Sequence, residues 1–328
     1  MKVLVTGANG FVGSALCASL VAQQHQVVAV SRESSASDTL SIPEHSAQYL
    51  HSLQLDFTDI LSIKSSLQGV DAIVHCAARV HQVRESAADP LAEYRRINTQ
   101  ATLNLARMAA QAGVRRFVFL SSVKVNGEYS QRGHPFRSSQ AAAIDAYGLS
   151  KWEAERGLMA IAAKTAMEVV IIRPPLVYGP GVKANFLTMM RALHRGIPLP
   201  FGAINNQRSL IALPNLVDFI TLCLIHPKAA HQTFMISDQQ DVSTTKLLRL
   251  LGDALHCPAR LLPMHQGLLG VSLKAIGRGD MAQRLCADLT VDSSPATDLL
   301  GWQPPLTLQQ GLQLTADHFL KVQAKTRA

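Results

Sequence analysis

The apolar positions of this chain fall into two kinds of segment. Short runs rich in Val, Ile and Leu lie at residues 2–6, 27–30, 71–78, 116–120 and 168–172. They are continuous rather than alternating, which predicts strands buried on both faces. Ser52–Leu55 reads as a further strand. Between the runs, helical spacing predicts a helix opening after a glycine turn and running through Leu20, and long helices near 90–112 and 146–164. Strand and helix in alternation predict an α/β fold, a doubly wound parallel sheet. Residues 33–50 have weak periodicity and read as loop or frayed helix.

After residue 180 the alternation breaks down. Helices are expected at 183–195, 214–226 and about 307–322, a short strand after Arg208, and a last sheet strand at Thr233–Ile236. The length of 328 residues suits two domains of roughly 150 residues each. The expected division is a dinucleotide-binding domain of 1–174 plus about 209–239. A smaller, mostly helical substrate domain takes about 175–208 plus 240–328.

Composition narrows the class. With 48% hydrophobic and 16% charged residues the chain can bury a substantial core and is not disordered. A net charge of +8 suits a basic surface, anionic substrates such as nucleotides, or an anionic membrane. No Lys/Arg run or aromatic-basic motif points to nucleic acid. The five cysteines are scattered and form no Cys-x-x-Cys pair, which suits a reducing compartment. The histidines lack ligand spacing, so no metal is expected. Lys2-Val3-Leu4-Val5 already reads as a strand, so no signal peptide fits, and no apolar run reaches membrane-spanning length. The cytoplasm is the expected location. The apolar stretch 261–277 reads as a helix lidding a sugar pocket, with contact at the inner membrane face as the alternative.

The candidate chemistry begins at Thr6-Gly7-Ala8-Asn9-Gly10-Phe11-Val12-Gly13, between a strand and a helix. This is the context a dinucleotide-binding turn needs. Gly7 allows the tight turn, Gly10 lets backbone approach a pyrophosphate, and Gly13 lets the helix pack on the sheet. Strand two ends in Ser31-Arg32 where an NAD-preferring fold usually carries an acid. Both side chains suit a 2′-phosphate, which favours NADP(H); Glu33 keeps NAD(H) possible. Asp56-Phe57 closes strand three, where the acid can accept from an adenine amino group. Small Ala77 and Ala78 would let backbone lie against the nicotinamide-side ribose. Asn98 is either an exposed helix residue or a buried brace. Strand five ends in Ser121-Ser122, at the carboxyl edge where open parallel sheets bind ligands. Tyr147 and Lys151 then sit four residues apart on one helix face. A phenol with a pKa near ~10 is made a usable proton donor and acceptor by a neighbouring ammonium.

The glycine turn, Ser122 and Tyr147-x-x-x-Lys151 together resemble the extended short-chain dehydrogenase/reductases, the nucleotide-sugar epimerases, dehydratases and reductases. Arg173-Pro174 and the ending Leu300-Gly301-Trp302-Gln303-Pro304 match as well. The resemblance implies a Rossmann-type fold, Tyr147 as acid/base on a sugar oxygen, and Ser122 hydrogen-bonding that oxygen. Lys151 would bind the nicotinamide ribose and lower the tyrosine pKa. Cofactor contacts are expected from Gly7, Asn9, Gly10, Phe11, Val12, Gly13, Ser31, Arg32, Asp56, Phe57, Ala77, Ala78, Tyr147, Lys151 and Pro174. Asn185, Arg208 and Arg284 are expected to grip the nucleotide diphosphate, and Ser122 and Lys124 to face the sugar. A homodimer through the helices near 90–112 and 146–164 is common among such enzymes.

Sugar-nucleotide dehydratases carry Asp-Glu after the catalytic hydroxyl residue. Here Val123-Lys124 occupies those positions, which sets dehydration aside. The stretches 75–81, 121–127 and 172–183 resemble bacterial surface-polysaccharide enzymes, the UDP-glucose 4-epimerase-like subgroup. Three functions remain open. Ser31-Arg32 places first a reductase of a UDP-4-keto-6-deoxy-N-acetylhexosamine, using exchangeable NADPH. The alternative is a 4-epimerase of UDP-GlcNAc, UDP-glucose or undecaprenyl-diphosphate-linked GlcNAc. The third is a dinucleotide-binding protein without catalysis.

Overall fold

The computed structural model describes residues 1–32, 44–55, 60–79, 89–264, 266–275 and 285–327. Asp56, Phe57 and Arg284 lie outside the described residues.

Seven parallel strands make the main sheet: β1 (Lys2–Thr6), β2 (Gln26–Ser31), β3 (Leu50–Gln54), β4 (Ala72–His75), β5 (Arg116–Leu120), β6 (Glu168–Arg173) and β9 (Thr233–Met235). Their order is β3-β2-β1-β4-β5-β6-β9, all paired in parallel. The chain reverses direction across the sheet between β1 and β4. That is the switch point where an open sheet leaves a crevice at its carboxyl edge. Side chains alternate between the two faces with the strand period of two. Val3, Val5, Val27, Ala29, Ala72, Val74, Val118, Val170 and Ile172 enter one core. Leu4, Val28, Val30, Ile73, Phe117, Phe119, Val169 and Ile171 enter the other. This double burial is why the strands read as continuous apolar runs.

The first core is covered by α1 (Phe11–Ala22) and α6 (Leu213–Ile225). The second is covered by α2 (Ile60–Ser66), α3 and α4 (Ala146–Ala162). Helix α3 is one continuous run of three pieces: Pro90–Tyr94, a π-helical Arg95–Gln100, and Ala101–Gln111. A third core joins α5 (Ala184–His194), α7 (Thr244–Ala254) and α10 (Leu308–Arg327) with the two-stranded sheet of β7 (Leu176–Tyr178) and β8 (Leu210–Ala212). Two short helices, α8 (Gln266–Ala275) and α9 (Ser294–Leu300), complete the chain.

The structure differs from the sequence reading at the edges. β3 starts at Leu50, two residues early, and three of its five residues are exposed because it is the sheet's edge strand. β7 escapes the pattern because three residues after Pro174-Pro175 carry no periodicity. Helix α8 leaves Leu268 and Val271 exposed. Among the described residues no helix is long and apolar enough to cross a membrane.

Candidate active site

The turn between β1 and α1 is dictated by its glycines. Gly7 has φ +66, and a Cβ there would lie 2.8 Å from the Ala77 nitrogen. A Cβ on Gly13 would lie 2.2 Å from the Gly7 carbonyl oxygen, so only glycine lets α1 start this close to the turn. No side chain caps the α1 N-terminus at Gly10, leaving the N–H groups of its first turn to an anion. The Asn9 side-chain oxygen is buried in this cradle with no hydrogen-bond partner among the described residues. Ser31 is buried at the end of β2, and Arg32 follows it exposed.

At the carboxyl edge of β5, Ser122 begins a turn of 3-10 helix at Val123–Val125 and accepts from the Lys124 amide at 3.2 Å. Its hydroxyl lies on the side of the Tyr147 phenol and favours the ionised form of that ring. Asp145 caps α4, accepting from the Gly148 amide at 2.6 Å, and so places Tyr147 and Lys151 on consecutive turns. Enclosure pushes the Tyr147 pKa up to about 12; the Ser122 hydroxyl opposes this, while Asp145 and Tyr94 add to it. Lys151 is buried with Nζ 4.1 Å from the centre of the Phe119 ring. Burial lowers its pKa to about 7, against the raising influence of Glu155 and Cys76. Ser122 favours the phenolate of Tyr147, and burial weakens the charge of Lys151 one turn further along the helix.

A buried polar chain braces this pair from beneath. Asn98 donates to the Ser150 hydroxyl and to the Arg79 carbonyl, each at 3.0 Å, and accepts from the Arg79 amide at 2.8 Å. Ser150 in turn donates to the Tyr147 carbonyl at 2.7 Å. Asn98 is thus a buried brace, set in the π-helical turn of α3, and such turns gather at functional sites. Its own carbonyl accepts from Thr102, whose hydroxyl meets Nε2 of His75 at 2.9 Å. Nδ1 of His75 meets the Thr6 hydroxyl at 2.8 Å, and Thr6 accepts from the Ala77 amide. Since the Thr102 proton is committed to Asn98, Nε2 must carry the imidazole proton and Nδ1 must accept. The ring is neutral, its pKa pushed down to about 3 chiefly by burial. The chain links the glycine turn to the helix of Tyr147.

A second buried cluster was not foreseen. Arg173 donates in a fork to Glu155, Nε at 2.9 Å and Nη2 at 2.6 Å. Glu155 also accepts from Ser121, and the remaining Arg173 nitrogen donates to Asn126 and to the Ser138 and Gln140 carbonyls. Glu155 lies one helical turn beyond Lys151, a spacing that sequence alone offers as the signal. Pro174, next to Arg173, accepts from the Val123 amide at 3.0 Å.

The remaining expected residues lie elsewhere. Lys124 is held between Glu128 and Asp145, the latter at 3.0 Å, so its charge faces two carboxylates. Asn185 is exposed in the first turn of α5, just after Ala184 at φ +53. Arg208 pairs its backbone with Val242, and its guanidinium donates to the Ala287 carbonyl at 3.2 Å. Segment 287–291 reaches back toward Ser122. Ser130 and Phe136 bond to Asp288 and Thr290, and Val123 packs with Leu289 and Val291. A cavity of about 750 Å³ touches Asn9, Gly10 and Phe11, and Pro180, Gly181 and Lys183 across from them. It continues between α1 and α6. Ser122, Tyr147 and Lys151 do not line it.

Residues 3–237 match the NAD dependent epimerase/dehydratase family. The chain belongs to that family. Its members' dependence on NAD fits the cradle: the uncapped helix start and the unpartnered Asn9 oxygen both await a polar ligand. The chain is 44% identical to a UDP-glucose 4-epimerase of Vibrio cholerae, over 98% of this chain and 96% of the relative. It is 26% identical to the N-acetyl-alpha-D-glucosaminyl-diphospho-ditrans,octacis-undecaprenol 4-epimerase of Escherichia coli O157:H7, over 97% and 95%. The solved structure of MoeE5 in complex with UDP-glucose and NAD superposes with a TM-score of 0.76 at 26% identity, covering 98% of this chain and all of that one. The protein is an NAD-dependent enzyme on the Rossmann-type fold of the epimerase/dehydratase family.

Proposed function

We propose that this enzyme is a 4-epimerase of a UDP-hexose, with UDP-glucose as the first substrate to try. The observation that carries this reading is the end-to-end likeness to the Vibrio cholerae UDP-glucose 4-epimerase. A bound nicotinamide would supply a hydride acceptor and, in return, a donor. Its phosphates would lie on the turn of Gly7, Gly10 and Gly13, and its ribose near Lys151. Tyr147 takes the proton from the sugar O4 as C4 becomes a ketone. It returns that proton when C4 is reduced from the opposite face. Ser122 hydrogen-bonds the same oxygen and keeps it in line with the phenol. Arg208 and Asn185 would hold the diphosphate from the second lobe. A homodimer through α3 and α4 belongs to the same proposal; Trp152 of α4, stacked 5.2 Å from Arg156, stands on its partly exposed side.

A second reading has its own support. Ser31-Arg32 suits a 2′-phosphate, and the enclosed Tyr147 is held protonated, as a reductase of a 4-keto sugar needs. An epimerase gains from a cofactor that stays bound, whereas a reductase must exchange it. Denaturing the purified protein and identifying the released nucleotide separates the two. Near-stoichiometric NAD is expected. A protein that releases none and binds NADPH more tightly than NADH would favour the reductase.

A further inference from the structure

Lys124 follows Ser122 by two residues and lies beside the start of the helix that carries Tyr147. Its backbone and side chain act at both places. The amide donates to Ser122, and the carbonyl lies so close to α4 that a Cβ on Gly148 would sit 2.5 Å from it. The ammonium is shared between Glu128 and Asp145. Both oxygens of Asp145 are thereby committed, one to the Gly148 amide that begins the helix and one to Lys124.

We propose that Lys124 is a positioning residue for Tyr147, pairing with Asp145 to fix the cap of α4 and to offset the carboxylate charge beside the phenol. The proposal rests on the reading of Tyr147 as the acid/base and deepens it. The groups facing the phenol come from several elements. Ser122 comes from the edge of β5, and Asp145 with its partners Lys124 and Glu128 from the flanking turns. Tyr94 meets the ring edge-on from α3 and itself carries the Arg79 guanidinium at 5.6 Å; Lys151 lies one turn along α4. Of the charges joined to Asp145, Lys124 is the positive one. Removing it leaves Asp145 and Glu128 without the ammonium that bridges them, which disfavours the phenolate.

The test needs no substrate. Difluorotyrosine placed at position 147 of the full chain titrates where the protein stays folded, and fluorine NMR reads its midpoint. Lys124→Met is expected to move that midpoint up by about one pH unit. Lys124→Arg, which keeps the charge, should leave it near the parent value. Adding Asp145→Asn to Lys124→Met should bring it back down. Asparagine still caps a helix, so Asp145→Asn alone should lower the midpoint, and this variant serves if Lys124→Met does not fold. An unmoved midpoint in Lys124→Met, or equal movement in Lys124→Met and Lys124→Arg, would overturn the proposal. An altered midpoint in a protein inactive on every sugar would instead count against the proposed reaction and leave the pairing standing.

Discussion

Tyr147→Phe is expected to lower turnover about 10²–10⁴-fold, the range typical of a lost acid/base. The loss should fall on kcat, because the ring still meets Tyr94 edge-on at 6.2 Å and still shapes the site. Stability should change little. The substitution removes one half-buried hydroxyl, and Ser122 keeps its bond from the Lys124 amide. Steady-state kinetics beside a thermal melt check both halves. Wild-type turnover in this variant would mean that Tyr147 moves no proton and that another group is the acid/base.

The largest expected effect on stability lies at Glu155 and Arg173. Both side chains are 5% exposed and bound in a fork. Removing either one leaves the other charge buried without its main partner, so Glu155→Ala or Arg173→Ala should each cost about 3–5 kcal/mol. Glu155→Leu combined with Arg173→Met should recover much of that loss, because an apolar pair of similar volume needs no compensation. Denaturant unfolding of the three variants decides it. The single variants should also lose activity beyond their loss of fold, since Arg173 ties down Asn126 and the carbonyls of Ser138 and Gln140, and Glu155 holds Ser121 next to Ser122. Single costs under about 1 kcal/mol would show the pair to be no more than a surface-type contact.

The sequence carried the sheet because parallel strands covered on both faces leave unbroken apolar runs. Val3, Leu4 and Val5 show this, feeding two different cores from consecutive positions. The glycine turn was legible for an equally local reason: three glycines between a strand and a helix have few other uses. Tyr147 and Lys151 were legible by helical spacing. Asn98 was not decided by spacing, because a polar residue in a helix looks solvent-facing until the opposite element is known. Here that element is α4, through Ser150. Glu155 and Arg173 stayed hidden for the same reason; their partnership spans a helix and a strand end. The pairing of Lys124 with Asp145 was not legible, because the two lie far apart in the chain and meet only when α4 is capped. The C-terminal lobe was the least legible. Its core joins separated pieces, and two of them, β7 and β8, are too short to show a period. On function, Ser31-Arg32 points to NADPH and a reductase, while the full-length likeness supports an epimerase. Two side chains at one strand end weigh less than similarity along the whole chain.

The proposed reaction is a redox-neutral inversion at C4 of a UDP-hexose, and NMR of UDP-glucose incubated with the purified protein tests it. UDP-galactose is expected to appear with no net oxidation or reduction of nicotinamide. Unchanged UDP-glucose, together with stoichiometric NADPH oxidation on addition of a UDP-4-keto-6-deoxy-N-acetylhexosamine, would contradict it.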